Sequence, residues 1–267
     1  MEKVGEEARD NLPKKPWKKT ALAVALMIIW VFCSVVVSQL VVGLIMGAIL
    51  GKDILLPVWS GVYSALSYGL ALLLVIFVPA KANAKWHIIY TGKKHKVNAS
   101  GKKILPPVDR EQIGLMGTPT WMDIGLAPVG YIVGTLLAML MTFVFSLIPW
   151  FDASEAQVTG FTPYMTGPEK IIAFITLVVL APVAEEIIFR GWLYGKMRAR
   201  LNAPVSIILV SLLFAVMHFQ WNVGVDVFAL SVVLCVMREI TGTIYSGILT
   251  HMLKNGIAFY LLYVLGI

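Results

Sequence analysis

Long apolar runs, separated by short polar or basic segments, follow one another along the whole chain. A helix needs about 20 apolar residues, at about 1.5 Å of rise each, to cross the hydrocarbon of a bilayer. Runs that meet or approach this length occupy residues 20–50, 54–80, 124–149, 169–190, 203–220, 223–237 and 243–266. The first is long enough to tilt or to extend beyond the bilayer. Residues 223–237 are too few to cross, so the pattern predicts an element that turns back below the far surface, packed against protein. The expected fold class is an all-α, polytopic membrane helical bundle of about seven transmembrane helices, or eight if one run is split in two. The sequence carries no internal repeat of useful strength, which argues against an inverted-repeat transporter.

Composition sharpens this reading. Of the 267 residues, 58% are hydrophobic and 14% are charged, and the mean hydropathy is +0.82. Soluble domains carry about 25% charged residues, and a chain this poor in charge could not cover a water-facing surface. An ordinary soluble enzyme is excluded. The formal charge of +7 could suggest a nucleic-acid partner, but the basic residues lie between apolar runs with no stacking aromatics beside them. Membrane topology accounts for them, and no nucleic acid is expected. Cys33 and Cys235 both sit inside apolar runs and imply neither a disulfide framework nor a Cys-rich metal site. The stretch from Thr20 to Leu50 is about twice the length of a signal-peptide core, and no small-residue cleavage site ends it.

Charge also sets the expected orientation. Residues 1–19 hold six Lys or Arg, 81–123 hold eight and 190–202 hold four, whereas 150–168 hold none. Under the positive-inside bias this predicts a multi-pass protein of the cell membrane with a cytoplasmic N-terminus and an external C-terminus. Trp17, Trp59, Trp86, Trp121, Trp150 and Trp192 fall near predicted helix ends, as an aromatic belt would place them. Three regions follow: a cytoplasmic tail 1–19, N-terminal helices with a basic cytoplasmic loop over 20–123, and a membrane core over 124–267. The loop 81–123, which includes His87 and His95, is expected to be solvated, with anionic lipid headgroups as its candidate membrane partner.

Ionisable side chains inside apolar runs are costly and are candidates for function. Three clusters stand out. In the first, Glu185 and Glu186 are adjacent and Arg190 follows Glu186 by four residues. On a helix Glu186 and Arg190 share a face and can neutralise each other, while Glu185 points about 100° away. Two adjacent carboxylates thus meet different environments, the usual way to separate a structural acid from a working one. Pro182, just upstream, removes a helix hydrogen bond. The second cluster places Phe214 four residues before His218, and the third places His251 four before Asn255. Taken singly, each has an ordinary explanation: a surface ion pair, a satisfied core histidine, polar contacts between helices. Convergence on one cavity would satisfy all three. There a carboxylate beside an imidazole can hold and deprotonate water, and a second imidazole with an amide can stabilise an oxyanion. That chemistry is peptide hydrolysis by activated water. The zinc-protease pattern HExxH is absent, but two histidines and a glutamate can also bind Zn²⁺, so spacing alone leaves a divalent metal open.

The ordered motifs Glu185-Glu186-Ile187-Ile188-Phe189-Arg190, Phe214-Ala215-Val216-Met217-His218 and His251-Met252-Leu253-Lys254-Asn255 resemble those of the CPBP intramembrane proteases, the CAAX-protease and bacteriocin-processing (Abi) family. The resemblance covers roughly residues 169–260, and no motif position departs from the pattern. It implies a membrane core with its site sunk from the cytoplasmic side, in which Glu185 and His218 activate water and His251 with Asn255 forms the oxyanion site. Glu186, Arg190 and Phe214 would support them. It further implies a glutamate-dependent mechanism with no required metal, and a membrane-associated peptide or protein substrate, prenylated or otherwise lipidated in some members. Three other functions fit the same residues: a non-enzymatic membrane scaffold or regulator, a bacteriocin immunity protein, and a proton-coupled transporter using Glu185 and the histidines as a relay.

Overall fold

The computed structural model describes residues 17–51, 56–81, 110–157 and 159–266. Most of the basic loop, including Trp86, His87 and His95, lies outside the described residues. Among those described, eight helices and no strands are present. Helix α1 spans Trp17–Leu50. Helix α2 is continuous through an α-helical Pro57–Leu72, a π-helical Leu73–Phe77 and a last turn Val78–Lys81. A single turn, α3, covers Arg110–Ile113, and α4 covers Trp121–Phe145. Helix α5, Gly167–Arg198, contains two π-helical stretches, Ile175–Leu180 and Ile187–Leu193. Helices α6 (Ala203–Val216), α7 (Trp221–Thr241) and α8 (Tyr245–Leu265) complete the chain.

Five of these, α1, α2, α4, α5 and α8, are long and apolar enough to cross a membrane. Their outer faces carry large apolar side chains such as Leu44, Ile49, Leu136, Phe143 and Ile171, each more than half exposed. A surface like that is stable against lipid and aggregation-prone in water. The protein is an all-α membrane bundle.

Two expectations about length are corrected. The element at 223–237 packs back along the preceding helix, but it is longer than its apolar run. Helix α7 has 21 residues and is about 31 Å long. Arg238 and Glu239 interrupt the apolar pattern without ending the helix, because partners receive them. Glu239 accepts from Arg198 at 2.7 Å and from Tyr194 at 2.8 Å. Arg238 donates to the Gly242 and Gln112 carbonyls. The short element is α6, with 14 residues.

Trp192 is not an interface marker either. It is 4% exposed and packs in the core that joins α1, α5 and α6. Helix α5 runs on to Arg198, so Glu185 lies about 20 Å from that helix end. Counted from Asn202, the N-cap of α6, His218 is about 24 Å along.

Small residues set the closest helix approaches, as is usual where lipid gives no hydrophobic push. Ala127, Gly130, Gly134 and Ala138 form one buried stripe on α4, which packs along α7 and α8. A Cβ at Gly130 would lie 2.7 Å from Met237 Sδ. Near the end of α5, Gly191 and Gly195 receive the backbone of α3: a Cβ at Gly195 would lie 2.2 Å from the Gln112 carbonyl oxygen. Gly195→Ala is therefore expected to destabilise the chain by about 1–3 kcal/mol through overpacking. A thermal melt in detergent reads this, and an unchanged melt would show that α3 is free to withdraw.

Candidate active site

The two adjacent glutamates are separated by helix geometry. Glu186 is fully buried, and its Oε1 accepts from Arg190 Nη1 at 2.8 Å, an i, i+4 ion pair with both side chains at 0% exposure. Burial removes the water that weakens such pairs at surfaces, so each partner depends on the other. Glu185, one residue earlier, faces α2 and α8. Its Oε1 accepts from the Tyr68 hydroxyl at 2.5 Å, and its Oε2 lies 3.8 Å from His251 Nε2.

His251 sits between both carboxylates. Its Nδ1 is 3.1 Å from Glu186 Oε1, and the ring is 4% exposed. A carboxylate paired with arginine can only accept, so Nδ1 carries the hydrogen and Nε2 is the nitrogen turned to Glu185. Gly247, one turn before His251, makes the approach feasible: a Cβ there would lie 3.0 Å from Glu186 Oε2.

His218 is reached through Phe214. Helix α6 stops at Val216 and His218 follows in the turn to α7. Its Nδ1 lies 2.8 Å from the Phe214 carbonyl, which again assigns the hydrogen to Nδ1 and leaves a lone pair on Nε2. The Phe214 ring has His218 at 5.0 Å and His251 at 6.0 Å between centroids, and Arg190 Cζ at 4.4 Å over its face. It ties the ion pair to both histidines. Phe219, next to His218, has φ 52. A non-glycine residue in that region is strained, and such strain concentrates at functional turns.

Asn255 is placed differently from the other three. Its Nδ2 donates to the Leu177 carbonyl at 2.9 Å. Residues 175–180 are π-helical, with the Ala181 N–H bonded to the Thr176 oxygen five residues back. The next bond in that register would run from residue 182 to Leu177, and Pro182 has no N–H to give. Asn255 supplies the missing donor. One of its two amide hydrogens is thus committed to holding α8 against α5, and the other is left for the site.

Two participants were not among the sequence candidates. Tyr68 is one. Lys254 is the other, whose Nζ lies 2.5 Å from Asp226 Oδ2 and joins α8 to α7 beside the histidines. Lys254 stood within the third motif, and its charge in an apolar run was the available signal. Among the described residues, no group of three His, Cys, Asp or Glu side chains is arranged to hold a metal ion.

Residues 167–257 match the family model described as Rce1-like, type II CAAX prenyl endopeptidase Rce1-like. Everything before Gly167 lies outside the match. No curated protein and no solved structure matches significantly.

Proposed function

We propose that this chain, whose residues 167–257 match the Rce1-like CAAX prenyl endopeptidase model, is an intramembrane endopeptidase that hydrolyses membrane-associated peptide or protein substrates with a water activated by Glu185. One observation carries the reading. Glu185 lies beside an arginine-paired twin, yet among the described residues its own carboxylate meets a phenol and an imidazole edge. A carboxylate held this way keeps lone pairs for a water proton.

In this mechanism Glu185 and the Nε2 lone pair of His218 hold the water. Glu185 takes its proton as the oxygen attacks the scissile carbonyl. That proton can pass from Glu185 Oε2 to His251 Nε2 through one bridging water, since the two atoms lie 3.8 Å apart. His251, with Nδ1–H already held by Glu186, then donates Nε2–H to the oxyanion, helped by the free amide hydrogen of Asn255. Collapse of the tetrahedral species breaks the C–N bond, and the leaving nitrogen takes the Nε2 proton of His251, which restores the neutral ring. Glu186, Arg190 and Phe214 hold the histidine in place.

The test uses the purified full-length chain and its Glu185→Ala variant in one detergent, on fluorogenic peptides ending in a CAAX sequence, farnesylated and unmodified. Cleavage by the wild type alone supports the reading, and equal rates for both proteins overturn it. Preference between the two peptide sets decides whether a lipidated substrate is required. Activity is expected to survive EDTA. Among the described residues no three His, Cys, Asp or Glu side chains are grouped as a zinc-type ligand set. Loss with EDTA and rescue by Zn²⁺ would recast Glu185 and the histidines as ligands.

A further inference from the structure

The hydroxyl of Tyr68 reaches Glu185 from a helix 117 residues away in sequence and outside the matched segment. The approach is set two turns earlier. A Cβ at Gly61 would lie 2.6 Å from Ile172 Cγ2 and 3.3 Å from Thr176 Oγ1, so α2 touches α5 where a larger residue could not. Tyr68 follows Gly61 by seven residues, which returns to the same helix face. Both helices run the same way from that contact, Gly61 facing Ile172 and Tyr68 facing Glu185.

We propose that Tyr68 is a positioning residue for the water-activating carboxylate: its hydroxyl pins Glu185 Oε1 so that Oε2 is the oxygen presented to His251 and to water. The proposal rests on the peptidase reading above. An unpinned glutamate has three side-chain torsions to sample, and the phenol restricts the last of them by a single bond at 2.5 Å. A phenol has two side-chain torsions to restrict, and it donates while adding no positive charge, so the carboxylate keeps its capacity to accept a proton. An arginine in the same place would turn Glu185 into a second Glu186. The N-terminal helices are on this account part of the catalytic apparatus.

The experiment compares the full-length wild type with Tyr68→Phe, Glu185→Asp and the double variant on the farnesylated fluorogenic CAAX peptide. Tyr68→Phe is expected to lower kcat by about 10-fold with KM unchanged, the pattern of a group acting only on the chemical step. Glu185→Asp withdraws the carboxylate from the phenol, so Tyr68→Phe should cost nothing further in that background. A purely structural Tyr68 would instead multiply its loss onto the Glu185→Asp rate and lower the melting temperature by itself, and that result overturns the proposal. Should Tyr68→Phe fold poorly, Tyr68→His, which keeps a neutral donor, must recover part of kcat; no recovery counts against the role. A wild type that cleaves while Tyr68→Phe matches its rate removes Tyr68 alone. A wild type that cleaves nothing removes the peptidase reading and this proposal with it.

Discussion

Glu185→Gln is expected to lower turnover by about 10²-fold or more while the protein melts at the wild-type temperature. The substitution is nearly isosteric. Its amide oxygen can still accept from Tyr68, and its NH₂ can point to His251 Nε2, so both contacts of the carboxylate survive in altered form. What it removes is the ability to take a proton from water. The side chain is 15% exposed, so little is buried or released by the change. Turnover and thermal stability measured on the same preparation check this. A variant that is folded and fully active would exclude Glu185 as the base.

Glu186→Gln should behave in the opposite order, with stability failing first. Arg190 has 0% exposure and its Nη1 bonds to Glu186 Oε1. Neutralising the glutamate leaves a buried guanidinium against the face of Phe214 without its carboxylate partner. Removing one partner of such a pair costs on the order of 3 kcal/mol. Activity should fall too, since the same Oε1 holds His251 Nδ1, and a glutamine that turns its NH₂ there would displace the ring. Replacing Glu186 and Arg190 together with apolar residues of similar volume should recover much of the stability and none of the orientation of His251. If Glu185→Gln melts early while Glu186→Gln stays folded and inactive, the two roles are exchanged.

Membrane residence, the all-α class and the three polar motifs could be read directly from the residues, because each depends on local chemistry; the expected seven spans could not, since five described helices are long and apolar enough to cross. An apolar run of about 20 residues has no stable place in water, and a 3.6-residue period puts Glu186 and Arg190 on one face whatever surrounds them. Depth and partnership could not be read this way. Trp192 has the composition of a belt residue, and only the packing of α1 and α6 against α5 makes it core. Arg238 and Glu239 look like the end of a membrane element until Arg198, Tyr194 and the Gln112 carbonyl are brought to them. Asn255 reads as an oxyanion donor, but half of its donor capacity goes to a carbonyl that a distant proline leaves bare. Tyr68 carries no local signal, since a tyrosine in an apolar run is unremarked until the helix beside it is known. The spacing of charges along one helix is a property of the backbone repeat, which the chain carries with it. The atom a side chain finally touches depends on how closely two helices approach, and that is decided by glycines and packed side chains far apart in sequence.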